Sequence, residues 1–292
     1  MKILVTGCNG FIGKNIIKYG CSKYEVYGIG RSMRSNISAF EYICVDICNR
    51  EELFTQVMNK MRNVDVIIHA AAEISDNTEK LYLTNCYGTQ NMIELAQKLD
   101  CKQFIYISSI PIIGKPIEFP ITEQHRIYPK TVYHYTKYFG EQIVRQLNNF
   151  GIINCILRIA SPVGAEMPNN KIFSVFVEKS IRNEDIIIWG DGTRIQNYID
   201  IRDFVQVVEK VIKMNVGGLY NIPGNSISDY DLAKKCIHCF DSKSNVCIKN
   251  DILKTEVEKW IISGKAAERD LGYIVGKTIE DSIYYVAEGL KK

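Results

Sequence analysis

The chain opens in a rhythm of short apolar runs, separated by longer stretches in which apolar residues return every three or four positions. The short runs are Ile3–Val5, Glu25–Ile29, Tyr42–Cys44, Val66–His69, Phe104–Ser108 and Cys155–Arg158. They are too brief for helices and show little polar alternation, so each is read as a strand buried on both faces. Among the intervening stretches, Glu51–Met61, Leu83–Leu99 and Tyr133–Asn148 carry the spacing of amphipathic helices. Strands alternating with helices predict right-handed β-α-β crossovers, hence an α/β fold with a doubly wound parallel sheet covered on both faces. Beyond Arg158 the rhythm breaks. A loop rich in Pro, Gly and Asn runs from Ser161 to Lys171, then come a helix, a strand at Asp185–Trp189 and the turn Gly190-Asp191-Gly192. The expected division is a first domain over 1–160 and a smaller lobe over 161–292, with a segment near 193–212 returning to the first domain. With no flexible linker between them, the two should pack tightly.

Composition narrows the picture little. The 292 residues suffice for a sizeable core. Thirty-six basic and 33 acidic side chains leave a net charge of +3, and the basic residues are scattered. That distribution argues against a nucleic-acid footprint or a membrane-binding patch. No apolar stretch approaches the roughly 20 residues of a membrane-spanning helix, and the opening run reaches a glycine turn too soon for a signal peptide. The 10 cysteines are dispersed, several within apolar runs (Cys44, Cys155, Cys247). There cysteine acts as a small hydrophobe, so a reduced, cytoplasmic protein is expected. Cys236-x-x-Cys239 follows the helix-start signal Ser228-x-x-Asp231. Lacking a second ligand pair, it is not expected to bind metal.

The first chemistry-bearing motif follows the first strand at once and opens a helix: Gly7-Cys8-Asn9-Gly10-Phe11-Ile12-Gly13. Glycine there lets the backbone turn tightly against a pyrophosphate, while the helix start offers free N–H groups. Gly7, Asn9, Gly10, Phe11, Ile12 and Gly13 are therefore expected to hold a dinucleotide, which makes the first domain Rossmann-like. The second strand ends in Gly30-Arg31-Ser32. An acidic residue there would grip the ribose 2′-hydroxyl of NAD and repel the extra phosphate of NADP. Arg31 suits that phosphate, so NADP is favoured over NAD; stacking on adenine or pointing to water are its alternatives.

Tyr133-His134-Tyr135-Thr136-Lys137 sets a phenol and an ammonium four positions apart, on one face of a helix. A nearby cation favours the phenolate, so Lys137 is expected to lower the Tyr133 pKa and suit it to proton exchange with an alcohol or ketone. The preceding strand delivers Ser108-Ser109 at its carboxyl end, where open α/β sheets take ligands. With these motifs the chain resembles the extended branch of the short-chain dehydrogenase/reductase superfamily, the nucleotide-sugar epimerases and dehydratases. Further carriers are His69-Ala70-Ala71-Ala72, Asn85-x-x-Gly88, Glu141, Leu157-Arg158 and Pro162-Val163-Gly164. The resemblance implies that Tyr133 is the general acid/base, that Ser109 bonds the same substrate oxygen, and that Lys137 holds the nicotinamide ribose. It also implies that Asp46 and Ile47 flank adenine and that Ala70, Ala71, Ala72 and Asn85 line the cofactor channel. His69 is read as structural.

Departures from the family pattern bear on the substrate. Ile110-Pro111 stands where dehydratases carry an acidic pair, which argues against 4,6-dehydration. Ser161 replaces an asparagine, Gln196 replaces an arginine that grips the diphosphate, and an Arg-Pro-Gly-Asp-like segment is missing around 250–259. Arg194 or Lys254 is expected to supply the lost charge. Asn170 is expected at the diphosphate, and Trp189 against the base or in the core. The expected function is hydride transfer between NAD(P) and C4 of a nucleotide-activated sugar, as an epimerase or a 4-ketoreductase. Alternatives are an NADPH-dependent reductase of a small carbonyl compound, or an NADP-sensing scaffold without catalysis. A homodimer is implied, with Leu95, Ile143, Val144 and Leu147 facing the partner.

Overall fold

Ile3, Leu4 and Val5 are completely buried, so their backbone groups must be satisfied by neighbouring strands. The computed structural model describes residues 1–21, 23–35, 40–249 and 258–290, and in it they are. The strands in the first half are Lys2–Thr6 (β1), Glu25–Gly30 (β2), Glu41–Cys44 (β3), Val66–His69 (β4), Gln103–Ser109 (β5) and Ile153–Ile159 (β6). Later come Ser161–Val163 (β7), Ile186–Trp189 (β8), Ile195–Asp200 (β9), Gly218–Ile222 (β10), Asn225–Ser228 (β11) and Val246–Lys249 (β12). The large sheet has seven strands in the order β10-β6-β5-β4-β1-β2-β3, every pair parallel. Successive strands run outward from β1 in both directions, which opens a crevice at the carboxyl ends of β1 and β4.

The helices are Phe11–Asn15 (α1), Arg50–Lys60 (α2), Thr78–Tyr82 (α3), Thr89–Lys98 (α4) and Val132–Arg145 (α5). In the second half they are Ile172–Arg182 (α6), Ile201–Met214 (α7), Asp229–Cys239 (α8), Lys265–Leu271 (α9) and Ile279–Leu290 (α10). One apolar cluster, including Val5, Ile105, Leu157 and Phe204, fills one face of the sheet; a second, including Leu4, Leu53, Phe104 and Val144, fills the other. A third, with Phe173, Ile186 and Leu232, forms the core of the smaller lobe. Two small sheets, β11-β9-β7 and β12-β8, build that lobe.

Two elements depart from the expected pattern. The segment read as one helix from Leu83 to Leu99 begins earlier, at α3, and passes through a π-helical turn, Leu83–Gly88, before α4. Its start is fixed by Asn77, whose side chain accepts from the Lys80 N–H at 2.9 Å. The loop expected from Ser161 contains β7, which among the described residues pairs with β9 only. Pro162 is tolerated because β7 is an edge strand with no second ladder to feed.

Candidate active site

The crevice is lined first by the turn between β1 and α1. Gly7 adopts φ +65, and a Cβ there would lie 2.7 Å from the Ala71 Cα, so the turn and the end of β4 touch through bare backbone. The Gly10 N–H closes the turn on the Gly7 carbonyl at 2.9 Å, and Gly10 caps α1 with no side chain in the way. Asn9 hydrogen-bonds the Tyr42 hydroxyl at 3.4 Å and accepts from Ser35 at 3.1 Å. Phe11 and Ile12 are partly buried against the core, and Gly13 packs on the turn. A tight glycine cradle beside a helix start is a fitting seat for a pyrophosphate.

Behind the cradle runs a directed chain of hydrogen bonds. The Ala71 N–H donates to Thr6 Oγ1 (3.2 Å), which lies 2.7 Å from His69 Nδ1. His69 Nε2 lies 3.0 Å from Thr89 Oγ1, which in turn donates to the Asn85 carbonyl at 2.7 Å. The order of donors requires a neutral His69 protonated on Nε2, and burial agrees by holding its pKa down to about 3. Asn85 grips Glu73 from both sides, accepting from its N–H (2.8 Å) and donating to its carbonyl (3.0 Å), and also donates to Thr136 on α5 (3.0 Å). Ala70, Ala71 and Ala72 thus lie in a segment fixed at both ends. Asp46 caps its own turn by accepting from the Cys48 N–H at 2.9 Å. Ile47 is buried against Gly88, and its carbonyl is held by Asn91 at 2.8 Å.

Arg31 is paired. Its guanidinium lies 3.6 Å from a Glu73 carboxylate oxygen, so an ion pair joins the end of β2 to the loop after β4, across the end of β1. The sequence reading missed Glu73. The signal was its place directly after the Ala70-Ala71-Ala72 run, at a strand end next but one to Arg31.

Ser109 closes β5 and Tyr133 opens α5, whose first turn is capped by Thr131 accepting from the His134 N–H at 3.2 Å. A hydrogen bond from Ser109 reaches Tyr133. Lys137, one turn on, is buried, donates to the Ile107 carbonyl at 2.7 Å, and sits 4.1 Å above the centre of the Tyr106 ring. The three residues therefore meet beside the crevice. Their electrostatics differ from the expectation that Lys137 lowers the Tyr133 pKa. Burial drives Tyr133 up to about 12, opposed by the Ser109 bond, and drives Lys137 down to about 7. Lys137 spends its hydrogen bond on a backbone carbonyl, so desolvation dominates both groups.

In the smaller lobe the expected substrate residues are spread wider. Gln196 donates to Ser161 at 2.9 Å, so the two neutral replacements are tied to each other. Asn170 is exposed at the end of the loop before α6. Trp189 is 65% exposed, which rules out core packing, and Lys249 lies 5.4 Å from its ring. Arg194 does not stand free: it binds Asp229 through two contacts of 2.9 and 3.2 Å. Lys254 falls outside the described residues. Ile110 and Pro111 lie in a short apolar 3-10 helix. Cys236 is buried on α8 with Cys239 one turn on, and among the described residues no group of three His, Cys, Asp or Glu could hold a metal ion.

A parallel open sheet, a glycine cradle at its switch point and a Ser-Tyr-Lys cluster at the next strand end define a dinucleotide-dependent enzyme of the Rossmann type. The chain matches the NAD dependent epimerase/dehydratase family over residues 3–223 and belongs to it. These are enzymes of the extended short-chain dehydrogenase/reductase type. A protein of Methanocaldococcus jannaschii, provisionally named a UDP-glucose 4-epimerase, is 31% identical over 69% of this chain and 70% of its own. The crystal structure of UDP-glucose 4-epimerase from Thermotoga maritima with UDP-glucose superposes with a TM-score of 0.89 at 23% identity, covering 100% and 99% of the two chains. That of a Bacillus cereus UDP-glucuronic acid 4-epimerase with UDP-glucuronic acid and NAD gives 0.86 at 23% identity, covering 100% and 99%. No helix among the described residues is long and apolar enough to cross a membrane.

Proposed function

We propose that the chain is a nucleotide-sugar epimerase acting at C4, with NAD as its resident cofactor. The meeting of Ser109, Tyr133 and Lys137 beside the glycine cradle carries this reading. When bound, the nicotinamide accepts and returns hydride. Tyr133 takes the proton from the sugar hydroxyl and gives it back, Ser109 holds the same oxygen, and Lys137 binds the nicotinamide ribose. Asp46, Ile47, Ala70, Ala71, Ala72 and Asn85 line the rest of the cofactor channel. The apolar Ile110-Pro111 step offers no group to move a second proton, so 4,6-dehydration is not its reaction. Net 4-keto reduction with NADPH uses the same residues and is the second reading, which would require Arg31 to leave Glu73 for a 2′-phosphate.

The Arg31–Glu73 pair moves the cofactor assignment from NADP to NAD. Glu73 neutralises the one cation expected to meet a 2′-phosphate, and its own carboxylate repels that phosphate. For the substrate, Asn170 touches the diphosphate and the exposed Trp189 stacks on the base. Arg194 is held by Asp229, so Lys249 supplies the countercharge. Calorimetry with both dinucleotides and with UDP, CDP, GDP and dTDP tests the assignment. NAD should bind about tenfold more tightly than NADP, and one diphosphate should bind below about 1 mM. Trp189→Ala should weaken that diphosphate about tenfold, the usual worth of a base–aromatic stack. No diphosphate binding below millimolar would return the chain to the small-carbonyl reading.

The homodimer stands as a proposal with a corrected surface. Leu95, Val144 and Leu147 are fully buried and Ile143 nearly so, all in the core cluster on one face of the sheet, because those faces of α4, α5 and the 3-10 turn after it pack inward. The exposed apolar residues of the same region include Leu83 and Tyr87 on the π-helical turn, and Tyr135 and Phe139 on α5. A two-fold axis would bring this patch against its own copy, so a charge enters twice. Light scattering should give twice the chain mass for the wild type and the single chain mass for Phe139→Arg.

A further inference from the structure

Three consecutive residues of β5 fasten α5 to the sheet. The Ile107 carbonyl accepts from Lys137 Nζ at 2.7 Å, Ser108 Oγ donates to Glu141 Oε1 at 2.6 Å, and Ser109 hydrogen-bonds Tyr133. Tyr133, Lys137 and Glu141 are spaced four apart and so share one helix face. The proposed chemistry uses the first two and leaves Glu141 without a role. Glu141 is nevertheless completely buried, and so nearly is its partner Arg158 on β6, which binds it through Nε–Oε1 (2.9 Å) and Nη2–Oε2 (2.8 Å). Apolar side chains of similar volume usually stabilise a core as well as such a pair does. Stability alone therefore gives no reason for it.

The groups facing Lys137 come from four elements. Tyr133 and Glu141 share its helix, Cys86 lies on the π-helical turn, His69 ends β4, and Tyr106 lies beneath it on β5. The Tyr106 hydroxyl also donates to the Lys137 carbonyl at 3.3 Å. Burial keeps four of them uncharged near neutral pH: Cys86 is pushed up to about 11, Tyr133 up to about 12, Tyr106 well above its usual value, and His69 down to about 3. Against burial, Glu141 first and Cys86 after it favour a charged Lys137.

We propose that Ser108, Glu141 and Arg158 are positioning residues for the proton chemistry of this site. Glu141 supports Lys137 as an ammonium in the protein interior. Arg158 and Ser108 occupy the carboxylate, so that Lys137 stays turned toward β5 and the crevice instead of closing a salt bridge along its own helix. The inference rests on the reading of Lys137 as the cation that binds the cofactor ribose.

NADH binding, followed by its fluorescence across a pH series with the intact protein, tests it without a known substrate. In the wild type, binding should weaken as Lys137 loses its proton. Glu141→Gln keeps the size and hydrogen-bonding reach of the side chain and removes the charge, and should move that midpoint down by about one pH unit. Ser108→Ala, which keeps both charges, should weaken binding a few-fold and leave the midpoint in place. Should Glu141→Gln not fold, the double variant Glu141→Met, Arg158→Met removes the pair as a unit; it takes a cation away as well as the anion, and should shift the midpoint downward by less. An unmoved midpoint in either folded variant, with the transition abolished in Lys137→Met, overturns the proposal and spares the Lys137 reading. A transition that survives Lys137→Met overturns both.

Discussion

Tyr133→Phe should lower turnover by about 10²–10⁴-fold, the usual contribution of a positioned acid/base, while NAD binding stays close to wild type. The substitution removes one hydroxyl and keeps the ring, which packs edge-on against His134 with centroids 5.5 Å apart. The fold should therefore be unaffected, and Lys137 keeps its bond to Ile107. Burial drives Tyr133 up to about 12, so its phenol is protonated before substrate and cofactor bind, and taking the sugar proton requires the phenolate, which a charged Lys137 favours. Activity and dinucleotide titration measured on the same preparation check the expectation. A variant that keeps more than a tenth of wild-type turnover removes Tyr133 from the chemistry.

Gly7→Ala should damage fold and cofactor binding together. The residue adopts φ +65, where an L-side chain loses about 1–2 kcal/mol, and its new methyl would lie 2.7 Å from the Ala71 Cα and 2.8 Å from the Ala71 nitrogen. Backbone cannot rotate out of the way as a side chain can, so overpacking adds about 1–3 kcal/mol more. The expected loss is on the order of 2–5 kcal/mol in urea unfolding. NAD should become undetectable by calorimetry, because the shift needed to relieve the contact opens the cradle. Gly151→Ala is the comparison: its φ is +71 and its Cβ would meet nothing within 4 Å, so it should lose the backbone term alone. Equal destabilisation by the two would show that the contact with Ala71 is not the cause.

Much of this architecture was legible because buried parallel strands write themselves as unbroken apolar runs, and six such runs gave the order of the first half. The glycine turn and the Tyr133/Lys137 spacing were legible because their chemistry demands fixed residue types at fixed distances. β7 was not, because Pro162 belongs to an edge strand and reads as loop. The apolar residues of α4 and α5 were visible, but periodicity says that a helix has an apolar face without saying what covers it. Tyr135 and Phe139 show the consequence: α5 is apolar on two faces, and the inward one belonged to Ile143 and Val144. The pairing of Glu73, unlike its place at a strand end, was illegible for a different reason. Its partner Arg31 is 42 positions away in sequence, and only the order of strands in the sheet brings the two together.

The hydrogen-bond chain behind the cradle also gives this enzyme an acid limit of its own. His69 accepts from Thr6 only while neutral, and its pKa in the fold is about 3 against an ordinary 6.5. Between those values the unfolded chain binds a proton that the folded chain refuses, so stability drains away as pH falls through that window. The group responsible sits in the core behind the glycine turn and touches no substrate. Tolerance of acid is thus set by a core group beside Lys137 that itself moves no proton in turnover.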